Sequence, residues 1–431
     1  MNDKSNLGPR FWRLWAALGV SSIGDGMVVV ALPLLALKFT HSPLLIAGVM
    51  VTGSAPAAIG GLPAGTLADR TNRRRLIVLI EFFRFLVLIA FGLAVLVHAD
   101  GLVAIYLTAF ALGAMNVAFD VVAGASLPAM VPSSQLVPAN SHLINAEMTG
   151  QDIVGQGLGG LALSLARALP FIADAFSFVV SAILLNRAIP DSVPESSGES
   201  AVNALRSGLS WYFRHPVLRT LTGLLASLAF CQSMVFGVLV PFAHSRLHMS
   251  NTGYGFMLAV AGVGTVIGGY GASKLHKKLG NGGLLLLAGF LAAAVYPVLA
   301  TVTSAITATL LLAIETMSVV GGNVAARSLR QSLVPDVMQG RAASAYSTVI
   351  LSCIPLGALV GGVVAATGGT RTTLFTAGVI QVIFLLATGP RLYRRTRELS
   401  PKAEEPAPVV LELDADGTLT SSPTESGVAV N

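Results

Sequence analysis

The stretch Gly65-Thr66-Leu67-Ala68-Asp69-Arg70-Thr71-Asn72-Arg73-Arg74-Arg75 places four arginines and an aspartate between two long apolar runs, 43–68 and 76–98. About 20 apolar residues suffice to cross the hydrocarbon core of a bilayer as a helix, and unpaired backbone cannot face lipid. The stretch therefore reads as a tight polar link between two membrane-spanning helices. The same alternation continues outward, at 12–37, 102–126, 140–166 and 168–189 on the N-terminal side and at 217–243, 253–274, 282–301, 304–326, 342–366 and 372–390 on the C-terminal side. The expected fold is an all-α membrane protein with twelve transmembrane helices. Its first run is too long, and too soon followed by others, to be a cleaved signal peptide.

Composition agrees. Of 431 residues, 54% are hydrophobic and 11% charged, whereas a soluble domain carries about a quarter charged residues. A cytosolic domain, a secreted enzyme and a nucleic-acid-binding protein are excluded, and the bilayer itself is the first partner. Cys231 and Cys353 both lie in apolar runs, so no disulfide framework or metal site is expected. Of the 27 Lys and Arg, 22 fall on one side of the twelve-span ladder and only Lys38, Arg167, Arg246 and Arg371 on the other, with Arg84 inside a span. The positive-inside rule then puts both termini and the middle loop in the cytoplasm. Richness in Ala, Gly and Arg points to a bacterium with GC-rich DNA, and so to its cytoplasmic membrane.

The polar segment 190–216 divides the chain into a six-helix bundle at 1–189 and another at 217–397, and the acidic remainder, 398–431, reads as a disordered cytoplasmic tail. The halves look duplicated. Pro128-Ala129-Met130-Val131-Pro132 followed by Gly159-Gly160 recurs as Gln331-Ser332-Leu333-Val334-Pro335 followed by Gly361-Gly362, a shift of about 202 residues. Parallel repeats of this kind occur in transporters, with the substrate site at the midplane between them.

The link at 65–75 resembles the signature loop of the major facilitator superfamily, Gly-x-Leu-Ala-Asp-Arg-x-Gly-Arg-Arg/Lys, with Asn72 where glycine is usual. Asn also tolerates a left-handed turn. The resemblance covers about residues 10–395 and implies the two-bundle major facilitator fold, a monomer, and a conformational latch at Gly65, Asp69, Arg70 and Arg73. Arg74 and Arg75 also fit as topology anchors alone. The surroundings of Asp25, the Val131-Pro132 loop and the weak second copy of the signature are similar to the branch of drug and siderophore exporters, macrolide-efflux-like and enterobactin-exporter-like. On the fifth span, Gly155-Gln156-Gly157-Leu158-Gly159-Gly160 keeps the glycines of the family's antiporter motif but has Gln156 for its proline and Gln151 for its leading glycine. Close helix packing and a gating bend both explain those glycines.

Charges within lipid are costly and normally face a cavity or a partner. Glu81 and Arg84, three apart on one helix, read as a mutual pair. Asp25 lies 13 residues into the first span, about 20 Å along a helix rising 1.5 Å per residue. Asp152 and Glu315 reach similar depth, and none of the three has a basic neighbour in sequence. Desolvation favours the neutral form of a carboxylate, so these three are the candidates for proton coupling, with a purely structural hydrogen-bonded role as the alternative. The resemblance sets Asp25, Asp120, Glu147, Asp152 and Glu315 on cavity-lining helices. Glu147 and Asp152, five apart, should point about 140° apart on a regular helix. Asn116, Glu147, Gln232 and Tyr346, with Asn323, are candidates for contact with substrate.

The expected function is proton-coupled efflux of a small amphipathic drug or secondary metabolite by alternating access, an antiporter of the antibiotic-resistance kind. A siderophore or lysolipid transporter is the alternative, and a membrane sensor or enzyme is a remote one. No phosphate-binding Gly-x-x-x-x-Gly-Lys-Ser/Thr loop occurs, and the histidines lie apart, most of them at span ends, so no catalysis and no cofactor is expected.

Overall fold

A computed structural model describes residues 7–191, 201–335, 338–399, 411–413 and 419–421, with backbone alone at 59–70, 201–207, 273, 397–399, 411–413 and 419–421. The N-terminal bundle comprises α1 (Gly8–Ala36), α2 (Pro43–Arg70), α3 (Arg73–Leu96), α4 (Leu102–Ser126), a fifth span built from α5 (Leu136–Met148), a π-helical stretch (Thr149–Gly155) and α6 (Gln156–Leu165), and α7 (Leu169–Ala188). The helix α8 (Ala201–Arg214) occupies the expected middle loop and packs on the second bundle. That bundle comprises α9 (Pro216–Ser245), α10 (Asn251–Thr301), α11 (Ala305–Leu333), α12 (Gln339–Gly368) and α13 (Thr370–Leu399). Gly280, at φ 66° and ψ 180°, divides α10 into two helices at the break expected between 274 and 282. Among the described residues the backbone thus makes the twelve traversals expected. In the acidic tail, β1 (Leu411–Leu413) and β2 (Leu419–Ser421) pair antiparallel.

Local chemistry sets the helix starts. Proline stands in the first turn of α1, α2, α7 and α9, where its missing N–H breaks no helical bond. Asn72 accepts from the Arg75 N–H at 3.2 Å and Ser250 from the Gly253 N–H at 3.1 Å, capping α3 and α10.

Between membrane helices apolar burial gives little drive, and small residues that let backbones touch take its place. The two halves use them identically. A Cβ on Gly159 would meet the Met27 backbone of α1 at 2.7 Å, and one on Gly361 would meet Met234 of α9 at 2.4 Å. A Cβ on the next residue, Gly160, would lie 2.3 Å from the Asn251 carbonyl of α10 and 3.0 Å from Gly255; on Gly362 it would lie 2.9 Å from Ala47 and 3.0 Å from Leu44 of α2. Each pair thus touches the first span of its own half with one glycine and the second span of the opposite half with the next. The duplication legible in sequence is a duplication of contacts.

Both inter-half contacts lie at the cation-poor end, where Ser164 Oγ and Thr252 Oγ1 are 2.9 Å apart across the halves. At the cation-rich end, Arg73 donates to the Ala125 carbonyl at 2.8 Å and Arg74 to Asn186 Oδ1 at 2.8 Å, both within the N-terminal bundle. Among the described residues, the glycine contacts hold the halves together at the cation-poor end.

Candidate functional site

Behind the glycine contacts two compartments meet between the halves. One, of about 380 Å³, is lined by Asp152, Gln156, Gln232, Thr316, Asn323 and Tyr346 among others. The second, of about 300 Å³, is lined by Asp25, Asn116, Gln151 and Tyr254 within a mainly apolar wall. They share Met50, Gln156, Phe236 and Leu258, so they form one central cavity. Asn323 lines it and is nevertheless exposed; the cavity communicates with the cation-rich end. Among its described lining residues there is no Lys, Arg or His.

Of the residues expected from sequence, Asp25, Asp152, Asn116, Gln232, Tyr346 and Asn323 reach this cavity. Asp152 accepts a hydrogen bond from Gln156 Nε2 at 3.4 Å. Glu147 lines neither compartment; it is exposed on α5, within electrostatic range of Asp25, Asp152 and Asp120. Asp152 lines the cavity and Glu147 does not. Between them the chain turns π-helical at Thr149–Gly155, with an extra residue in the turn. Nothing in the sequence signals that extra residue in the turn. Of the expected latch, the side chains of Gly65, Asp69 and Arg70 lie outside the described residues, and Arg73 ties α3 to the end of α4.

Glu315 stands behind the cavity wall, fully buried. It accepts from Tyr296 Oη at 2.7 Å and from Gln232 Nε2 at 3.3 Å, so Gln232 connects it to the cavity. Truncating Glu315 to Ala strands a buried hydroxyl and an amide, each costing about 1–3 kcal/mol when unsatisfied. Glu315→Ala is expected to lower the thermal unfolding midpoint in detergent clearly, whereas Glu315→Gln, which can still accept from Tyr296, should stay near wild type.

The N-terminal half holds a charged core that sequence reasoning saw only in part. Arg84 is 1% exposed, 3.5 Å from Glu81 Oε2 and stacked over Phe119 at 4.5 Å and Phe178 at 5.2 Å. Ser181 Oγ donates to the other Glu81 oxygen at 2.6 Å. The expected pair is therefore present, but Arg84 also acts electrostatically on Asp25 and on Asp174, so Asp25 is not remote from positive charge. Asp174 was not among the expected sites. It is fully buried on α7, accepts from Ser177 Oγ at 2.8 Å, and is pressed against the α1 backbone at Gly24. An acid amid the apolar run 168–189 was the available signal. Removing one partner of a buried ion pair costs about 3–5 kcal/mol. Arg84→Met should therefore destabilise strongly in a thermal melt, and the double variant Glu81→Gln/Arg84→Met should recover part of the loss.

The sequence profile of the transmembrane secretion effector family matches residues 8–417. The chain is 25% identical to the multidrug efflux pump Tap of Mycolicibacterium fortuitum over 411 residues, 91% of this chain and 97% of that protein. It is 26% identical to the enterobactin exporter EntS of Escherichia coli O1:K1 / APEC over 413 residues, 91% of this chain and 95% of that one. Among solved structures, a bacterial homolog of the human lysosomal transporter Spinster, inward-facing and unoccupied, superposes with a TM-score of 0.69 at 17% identity, over 92% of this chain and 99% of that chain. The shared fold agrees with the one expected.

Proposed function

From the premise that the chain belongs to the transmembrane secretion effector family of the major facilitator superfamily, we propose that it exports a small cationic or neutral amphipathic molecule against its gradient, driven by protons. Multi-pass membrane transport and kinship with drug and siderophore exporters frame that reading. The observation that carries it is the cavity wall: Asp25 and Asp152 reach it and, among the described lining residues, no cationic side chain does. A cation or a neutral dipole is accommodated there; an anion would meet two carboxylates and no cationic side chain on the described wall, with Arg84 and Arg330 set behind it at Asp25 and Tyr346.

Positive-inside placement of the cation-rich end in the cytoplasm makes this an inward-open state, closed outside by the glycine contacts of the fifth and eighth, and second and eleventh, spans. Alternating access then consists of separating those contacts while the cytoplasmic end closes. Asp25 binds the proton that exchanges with substrate; Asp152 and Glu315, the latter through Gln232, are the further carboxylates that respond to occupancy of the same cavity. The latch at Gly65, Asp69, Arg70 and Arg73 holds one facing state, and the transporter works as a monomer in the bacterial cytoplasmic membrane. The likeness to the enterobactin exporter supports a siderophore as the second reading, and the cation-free wall disfavours it.

The test is accumulation of labelled antibiotics and dyes in a pump-deficient bacterial host. Cells bearing the protein should retain less of at least one cationic or neutral compound than cells with an empty vector, and a protonophore should erase the difference. Export that survives the protonophore would reject proton coupling.

A further inference from the structure

Away from the central cavity, a separate hollow of about 540 Å³ lies between α3 and α7 at the cation-rich end. Its wall is one face of α3, on which Arg74 and Arg75 stand one and two turns before Leu79 and Phe82. From Arg74 to Phe82 is about 12 Å along the helix at 1.5 Å per residue. The apolar part of that face is open to the surroundings, Leu79 being 49% and Phe82 51% exposed. The wall therefore changes from cationic to greasy along the direction in which a lipid changes from headgroup to chain.

The polar end is organised. Arg74 Nε is spent on Asn186 Oδ1 at 2.8 Å, which fixes the plane of its guanidinium and aims the remaining N–H groups. The Arg75 guanidinium has no hydrogen-bond or ion-pair partner among the described residues, while its backbone N–H is held by the Asn72 cap. Asp191, at the rim, accepts from Asn72 Nδ2 and has lone pairs left for another donor. Two cations against one acid leave a single net positive charge. Guanidinium groups take phosphate oxygens in forked, charge-assisted pairs, and basic pockets between membrane helices on the cytoplasmic side suit anionic headgroups.

We propose that this hollow binds an anionic phospholipid of the phosphatidylglycerol type, its phosphodiester on Arg74 and Arg75, its headgroup hydroxyls donating to Asp191, and an acyl chain along Leu79 and Phe82. One net positive charge matches one phosphodiester, and the carboxylate matches a hydroxylated headgroup. The site is independent of the transported substrate, and neither arginine belongs to the central cavity.

The experiment uses the purified full-length protein in neutral detergent, titrated with phosphatidylglycerol, with phosphatidylcholine of the same chains, and with inorganic phosphate. Thermal unfolding and native mass spectrometry are the readouts, for wild type, Arg75→Gln and the double variant Arg74→Gln/Arg75→Gln. Phosphatidylglycerol should stabilise the wild type and persist as a one-to-one adduct, phosphatidylcholine and phosphate should not, both variants should lose the adduct, and Arg75→Gln should unfold without lipid at the wild-type midpoint. If the double variant fails to fold, the single one, whose side chain holds no partner, decides. Equal stabilisation by both lipids, an adduct that survives in Arg75→Gln, or the full effect from phosphate alone would overturn the proposal, the last by making this an inorganic anion site.

Discussion

Asp25→Asn is expected to abolish gradient-driven export while leaving folded protein in the membrane. The substitution keeps the size and hydrogen-bonding capacity of the side chain on the cavity wall and removes only its ability to exchange a proton. Asp25 lies where the first span, the charged core around Arg84 and the cavity meet, so the loss falls on coupling and not on packing. Movement of substrate down its own gradient should persist, because the cavity and the contacts that open and close it are untouched. Accumulation measurements on the variant, normalised to membrane protein detected with an antibody tag, separate the two. Uphill export at the wild-type rate would remove Asp25 from the coupling role and leave Asp152 or Glu315 to carry it.

The second large effect is expected at the glycines that join the halves. A side chain at Gly160 has no room: the Asn251 carbonyl lies 2.3 Å from the position of its Cβ and Gly255 Cα 3.0 Å away. Neither is a flexible side-chain tip, so the helices themselves must separate. Gly160→Leu should therefore prevent closure of the outer end and stop transport, and Gly362→Leu, its counterpart against Leu44 and Ala47, should do the same by symmetry. Gly223→Ala, where a Cβ meets nothing within 4 Å, is the control expected to be silent. Oxidative cross-linking of Ser164→Cys with Thr252→Cys, at a site where the native hydroxyls are 2.9 Å apart, reports closure directly. Its yield should fall in Gly160→Leu and stay high in Gly223→Ala. Full transport by Gly160→Leu would mean that this contact is not part of the cycle.

Much of this architecture could be read from residues whose meaning is local. Twelve apolar runs, the basic links between them and the repeat around Gly159-Gly160 and Gly361-Gly362 each report a constraint set by lipid, and lipid acts on every segment alike. The repeat aligns the two glycine pairs, and the structure gives them matching contacts. Which charges share a cluster was not legible. Asp25, Glu81, Arg84 and Asp174 are dispersed over three spans, and only packing brings them together; the sequence supports the Glu81–Arg84 pair because three residues on one helix fix that distance. The π-helical turn at Thr149–Gly155 was equally hidden, since no residue type demands it. Glu315 was correctly placed at depth, but its partners Tyr296 and Gln232, 19 and 83 residues away, lie beyond any local pattern.

Proton-coupled export is tested most directly in proteoliposomes that hold a pH-sensitive dye and an imposed proton gradient. When a compound whose accumulation the protein lowers in cells is added, the gradient should discharge faster with wild-type protein than with Asp25→Asn or with empty vesicles, in step with movement of the compound. Movement of the compound with no change in the proton gradient would contradict the account.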